Sequence, residues 1–488
     1  MFSTIGSTLQ DSSWFGDGRL CARFGRIAQT MFNNFGHSMG QSTQNKHQSK
    51  AAYNFMNNAK VDEVGLYSSD AYRLCEETRQ ASGRTYVSLS DTTVLNFSQA
   101  KSASRLDCLD DERQKGYFLH SLMLMDEALC PAGLLRSHFY NRPKETLHHT
   151  RGMTSSAMAK IPIEEKESHR WLADLEQLHT LFAAQTQHRF VHVVDSEGDL
   201  FELFAARRHE HIHLLARVHH DRKLLDGGQL KAQLRLLPPA GQVELTVTDR
   251  PRPETDTPRR GNKKKGDDRP KTKRRARLEL RYAPITVQVP YGLKQYQKDR
   301  GYLPLQLYVV HAREQIDQEQ LEKGFQPIEW FLITSMPIQS NEAAIEAIAF
   351  YAGRWRIEDF HLVLKEGAKV ERLQYESPQA LKNAITLYSI VALQVLRLRY
   401  LNDTQPDLPM QVLGWEKNAY DCLLLYLTNV KKVKIQTSPA PTVRQFVNLI
   451  AMLGSGNPKH HGVRAIWRGL RDFDIIFNTF SILKQDSS

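Results

Sequence analysis

The chain has 488 residues, and because a single core rarely grows past about 250–300 residues, roughly two to four domains are expected. A hydrophobic fraction of 41% with 24% charged residues is the composition of an ordinary soluble globular protein. The 65 basic and 54 acidic residues leave a net charge of +11 and a pI of about 9.3, which favours a polyanionic partner, nucleic acid ahead of a membrane surface.

Residues 1–65 read as a small helical domain. Leu20, Phe24, Ile27, Ala28 and Met31 recur at helical spacing, a polar turn follows at 37–49, and a second helix starts at Ala51. The first residues lack a basic start followed by an apolar run, so no signal peptide and a cytoplasmic location are expected. Near residue 85 the pattern changes. Residues 85–91 alternate as a strand with Asp91 at its end, and 117–127 and 133–140 read as two more strands. Residues 167–184 have helical spacing. Residues 190–194 form a short apolar run, a buried strand that ends at Asp195. A helix at 200–206 and a strand at 212–218 complete a β-β-β-α-β-α-β order, which predicts an α/β fold around a mixed sheet.

Residues 225–335 break the alternation. Runs at 234–237, 242–248, 277–282, 286–289, 305–311 and 329–334 look like strands with no helices between them, a β insertion. Within it, 250–277 is basic, punctuated by Pro and Gly, and too polar to pack, so a mobile loop is expected. From Asn341 to about Tyr400 the chain reads as helix. This central region, 66–400, is followed by a helical tail over 401–488. The apolar run at 384–396 is cut short by Gln394 and Arg397, below the ~18 residues that suggest a membrane span. Five scattered cysteines with no CxxC pair argue against a disulfide framework or a zinc site and for a reducing compartment.

Three carboxylates carry candidate chemistry. Cleavage or transfer at a phosphodiester needs charge neutralised at phosphorus and an activated water or hydroxyl. Two divalent ions about 3.5–4 Å apart, held by hard oxygen ligands from distant parts of the chain, do both. Asp91 lies in step with Val87 and Leu89, and is either such a ligand or a turn residue. Asp195 follows a buried strand, where α/β sheets collect ligands, although it or Asp199 would equally cap the next helix. In YAGRWRIEDFHLVLK at 351–365, Tyr351, Arg354, Glu358 and Lys365 fall within roughly 60° of arc on an ideal helix, with Ile357, Phe360, Val363 and Leu364 opposite. That face is either a solvated one with an Arg354–Glu358 pair or an acid for metal between cations for phosphates.

The order Tyr351, Arg354, Glu358, Lys365 resembles the YREK signature of bacterial insertion-sequence DDE transposases of the IS-four family, Tn-five type. RWRIEDFH around it, SDTT at 90–93, GYFLHSLMLMDE at 116–127, GLLRSHFYNRP at 133–143, EKESHRWL at 165–172 and VVDSEGDL at 193–200 are similar in kind and order. GDGRLCAR and AAYNFMNN resemble the family's DNA-binding head, and MLGSGNPKHHGVRAIWRG its C-terminal end. The resemblance implies a ribonuclease H-like core with a β insertion, flanked by helical domains at 1–65 and 401–488. It implies an Asp91–Asp195–Glu358 triad holding Mg²⁺ or Mn²⁺, cut-and-paste transposition on double-stranded terminal-repeat DNA, and a homodimer pairing two ends. Trp330 matches the position on which family members stack a flipped base. Ser196, Gly198 and Asn54 depart from the usual basic residue, Ala and Arg.

Further DNA contacts are expected from Arg217 at a strand end and from the basic stretch Arg259, Arg260, Lys263, Lys264, Lys265, Lys271, Lys273, Arg274 and Arg275. His209, His211 and His213 alternate and His219-His220 follow, which leaves a zinc reading open but without cysteine partners. No GxxxxGK[ST] loop or GxSxG elbow is present. Ile450, Met452, Leu453, Trp467 and Leu470 suit either a dimer surface or core packing. A structure-selective nuclease of the same fold and an inactive DNA-binding regulator are the alternative functions.

Overall fold

The computed structural model describes residues 15–43, 45–142, 161–249, 272–455 and 462–485. The chain divides into two compact units, the first made of Met1–Met153, Ala173–Phe190 and Trp355–Ser488 and the second of Thr154–Leu172 and Val191–Arg354. The fold is mixed α/β. It begins with α1 (Gly18–Asn33), α2 (Lys46–Met56) and α3 (Glu63–Gln80), then β1 (Thr85–Asn96), β2 (Gly116–Met125) and β3 (Pro131–Tyr140). After α4 (His169–Phe182) come β4 (Arg189–Val194), β5 (Ile212–Arg217) and α5 (Leu230–Leu236). Then follow β6 (Gly241–Asp249), β7 (Thr272–Val287), β8 (Leu305–Glu314) and β9 (Glu329–Thr334). Helices α6 (Asn341–Gly353), α7 (Arg356–Leu362), α8 (Pro378–Thr404), α9 (Lys417–Asn429), α10 (Val443–Ser455) and α11 (Val463–Gln485) complete it.

In the first unit β1, β2 and β3 form an antiparallel meander. All ten residues of β2 are buried, so its apolar run is covered on both faces. Helix α8 starts at the cap Ser377, whose side chain accepts the Ala380 N–H, with Pro378 in the first turn. It packs against β3 and against α1, α2, α3, α10 and α11. Helices from both terminal regions thus pack on this one helix. Helix α8 is long and apolar enough to cross a membrane, contrary to the sequence estimate, yet 83% of its apolar window is buried within the protein. Asn383 inside it is fully buried and donates to the carbonyls of Met56 (3.0 Å) and Val61 (2.8 Å). Ile450, Trp467 and Leu470 are buried where α10 packs on α11, while Met452 and Leu453 are half-buried.

Helix α3 is fixed by a buried ion pair. Asp70 and Arg73 are 4% exposed each and 2.6 Å apart. Asp70 also accepts the Leu134 N–H at 2.7 Å, and Arg73 donates to the Ala132 carbonyl at 3.1 Å. Both side chains thus reach β3, and only a glycine fits between them at 133, where a Cβ would lie 2.7 Å from each.

In the second unit β5, β9, β8, β7 and β6 pair antiparallel in that order. Two expectations fail here. The runs at 277–282 and 286–289 are one strand, β7, because β6 pairing stops at Leu280 and Pro284 then has only β8 beside it, so its missing N–H costs little. Residues 234–237 are not a strand: Leu230 and Leu234, four apart, are both buried on α5 while Leu236 is 85% exposed. Helix α6 packs across β5, β7 and β8.

Replacing Asp70 by Ala leaves Arg73 buried without its partner. The full-length protein should lose about 3–5 kcal/mol in chemical denaturation, a far larger loss than Asp17→Ala causes at the solvent-screened α1 cap pair with Arg19.

Candidate functional site

The three candidate carboxylates are divided between the units: Asp91 and Glu358 lie in the first, Asp195 in the second. Asp91 does not end its strand. It sits in the middle of β1, half-buried, opposite Ser121 of β2, which is itself opposite Ser137 of β3. Its Oδ1 accepts the Thr92 N–H at 2.7 Å. The Ser121 and Ser137 hydroxyl oxygens on the same row are buried with no hydrogen-bond partner among the described residues. Glu358 lies in the first turn of α7, half-buried, and α7 packs against β1. Ile357, Phe360, Val363 and Leu364 behind it are fully buried, as the spacing predicts.

The single helix expected over 351–365 is interrupted. At the joint the Arg354 N–H bonds the Tyr351 carbonyl (3.0 Å) and the Glu358 N–H the Trp355 carbonyl (3.1 Å), one residue tighter than an α-helix. Val363–Gly367 then widens into a π turn, with Ala368 N–H on the Val363 carbonyl at 2.8 Å. Steps of 100° therefore do not carry from Tyr351 to Lys365. Tyr351 and Arg354 are buried rather than on a solvated face, and Trp355, outside the motif, is 58% exposed. Lys365 donates to the Val94 carbonyl at 2.9 Å and lies 3.8 Å from Glu371, whose carboxylate accepts the Asn96 N–H. It ties the π turn to the end of β1.

In the second unit five of the expected residues come together. Burial pushes the Tyr351 phenol pKa up, and Arg217 and Arg354 beside it pull it down, while Asp195 pushes it up. The Trp330 ring meets Tyr351 edge to face, 5.2 Å between centroids. Trp330 is only half-buried, so part of its surface stays open. Asp195 caps the short turn Ser196–Gly198 by accepting the Glu197 N–H at 2.8 Å. Four residues on, Asp199 is 1% exposed and was not singled out as more than a cap. It accepts the N–H groups of His219 (2.8 Å) and His220 (3.1 Å) and pairs with Arg222, so it ties the Asp195 turn to the chain beyond β5. The Ser196–Gly198 turn lies so close to β4 that a Cβ on Gly198 would be 2.6 Å from the Val194 side chain. The departure from Ala at this position thus has a steric cause.

Arg259, Arg260, Lys263, Lys264, Lys265 and Lys271 lie outside the described residues. Lys273, Arg274 and Arg275 are not in a loop but on β7. Lys273 and Arg275 are exposed on one face. Arg274 points the other way, into a buried ion pair with Glu314 and over the Phe325 ring at 5.0 Å, so its charge is already neutralised inside the unit. Arg274 is thus an anchor of β7 and not the DNA contact expected from the sequence.

Among the described residues no group of three or more His, Cys, Asp or Glu is placed to hold a metal ion, the histidines at 209–220 included. A Mg²⁺-type ion does not need such a cage: it keeps several waters and is held by one or two carboxylates with substrate phosphates. Asp91 and Glu358 offer two hard-oxygen donors from elements in contact, beside the unsatisfied Ser121 hydroxyl, and that donor set fits such an ion.

Residues 7–61 match the model of the family described as Transposase DNA-binding. The match spans α1 and α2. A solved structure described as a cryo-EM structure of piggyBac transposase synaptic complex with hairpin DNA also matches, with a TM-score of 0.34 and 9% sequence identity over 95% of this chain and 73% of that one.

Gly198→Ala should destabilise the second unit by about 1–3 kcal/mol in urea titration, since a branched Val194 cannot swing away from the added methyl. A stability equal to that of the unaltered protein would show that the turn has room to move.

Proposed function

We propose that the protein is a DNA transposase of the bacterial IS-four, Tn-five type. Its N-terminal helices bind terminal-repeat DNA, and a ribonuclease H-like core with an Asp91–Asp195–Glu358 triad cuts the ends and joins their 3′ hydroxyls to target DNA. The observation that carries this reading is the transposase DNA-binding match at 7–61 in a basic chain. Two ends brought together by a homodimer, working in the cytoplasm, belong to the same proposal.

Bound Mg²⁺, or Mn²⁺ in its place, supplies charge neutralisation at the phosphorus and activates the attacking water or hydroxyl. Asp91 and Glu358 hold their share of that charge from β1 and α7. Asp195 presents its carboxylate from a turn that Asp199 and Gly198 keep close to β4. Arg217, exposed at the end of β5, meets a backbone phosphate near Asp195 while the buried Arg354 adds its charge beside Tyr351, and the open face of Trp330 stacks an unpaired base, an interaction worth about 1–3 kcal/mol. The exposed cations Lys273 and Arg275 on β7, with the basic residues at 259–265, hold DNA without reading its sequence.

Purified protein is incubated with its flanking inverted repeats, Mg²⁺ and a target plasmid. Asp91→Asn, Asp195→Asn and Glu358→Gln should each abolish cleavage and leave end binding intact. Full cleavage by any of them refutes the triad. Cleavage without joining makes the protein a structure-selective nuclease, and binding without cleavage an inactive regulator. In a separate salt titration, Lys273→Ala with Arg275→Ala should lower the slope of log K against log salt by about 1.8, since each lost phosphate contact is worth about 0.9. An unchanged slope removes this strand from the DNA interface.

A further inference from the structure

The first unit contains a buried polar chain that the proposed chemistry does not use. Strand β1 turns successive side chains to opposite faces, so Thr92 looks away from the face that carries Asp91. Its Oγ1 lies 2.8 Å from His120 Nδ1, directly across on β2. His120 Nε2 lies 2.7 Å from Asp174 Oδ2 on α4, and Arg136 of β3 donates to Asp174 Oδ1 at 2.9 Å. His120 and Asp174 are 0% exposed and Arg136 is 15% exposed. Such a chain is expensive to bury, and buried ion pairs return little net stability. Its outer end is the residue whose own N–H orients the Asp91 carboxylate.

Resting on the reading of Asp91 as a metal-holding carboxylate, we infer that Asp174, His120 and Thr92 form a positioning relay for Asp91. Arg136 and His120 fix the Asp174 carboxylate between them. In the tautomer that carries its proton on Nε2, facing Asp174, the ring offers Nδ1 to the Thr92 hydroxyl. That bond pins the Thr92 side chain and with it the peptide joining 91 to 92, whose N–H holds Asp91 Oδ1. The carboxylate is thereby preset before any ion or DNA arrives, and the ordering is done on the far face of the strand. Outer residues of this kind typically alter metal affinity about 10–100-fold when they are removed.

The test is Mn²⁺ binding to the full-length protein, read from the electron paramagnetic resonance of the free ion, with urea midpoints measured alongside. Thr92→Val keeps the shape and deletes the hydroxyl, and should weaken Mn²⁺ binding about tenfold or more. Thr92→Ser restores the hydroxyl and should restore affinity, which a merely structural role would not predict. Asp174→Asn should follow Thr92→Val if it folds, and the Thr92 pair decides the matter if it does not. Wild-type Mn²⁺ affinity in Thr92→Val, with affinity lost in Asp91→Asn, overturns the relay alone. Unchanged affinity in Asp91→Asn itself takes the metal away from Asp91, and the relay's role falls with it.

Discussion

Burial of one helix organises the first unit. Over 27 residues α8 presents apolar side chains in every direction, and such a helix is stable in water only when covered all round. Its cover is supplied by β3, by the N-terminal helices and by α10 and α11. Polar residues inside it survive because they are satisfied. Ser389 bonds back to the Ile385 carbonyl at 2.9 Å, and Asn383 closes two carbonyls at the end of the segment 7–61. The position of that segment, and the back wall of the strands that carry Asp91, both follow from this burial.

Local period was the legible part. Residues 117–127 read as a strand and β2 runs over Gly116–Met125, and the apolar backing of Glu358 is where 3.6-residue spacing puts it. Spacing gives a period but not a hydrogen-bond register, so the tight joint at Arg354 and Trp355 and the π turn at Lys365 were invisible, and Tyr351 and Arg354 were placed on the wrong side of the water boundary. Pro284 split β7 in the sequence because its effect depends on which neighbour is missing. Arg274 read as a DNA cation because Glu314, its partner, is 40 residues away. The same limit hid Asp174 and Asp199. The local sign of Asp174 is His120, an imidazole inside a fully buried strand.

Buried acids recur with distinct tasks. Asp70 with Arg73 locks a helix to a strand, Asp199 with Arg222 closes the turn after Asp195, and Asp174 with Arg136 reaches through His120 to the neighbour of Asp91. All three pair with arginine, whose planar fork satisfies a carboxylate from fixed directions and cannot lose its proton. Two of the three stand behind residues proposed to act on DNA. Rigid support is placed where a carboxylate must keep its direction, and the surface cations on β7 are left without it.

The bonds from Asn383 to Met56 and Val61 span 327 and 322 residues of sequence. At synthesis rates of about 5–20 residues per second, the head would leave the ribosome roughly 15–65 s before the helix that completes its packing. The carbonyls of Met56 and Val61 are without their Asn383 partner meanwhile. For the same reason the head is a poor cassette. Exchanging it for another recognition domain would also require matching residues on the face of α8 that receives it.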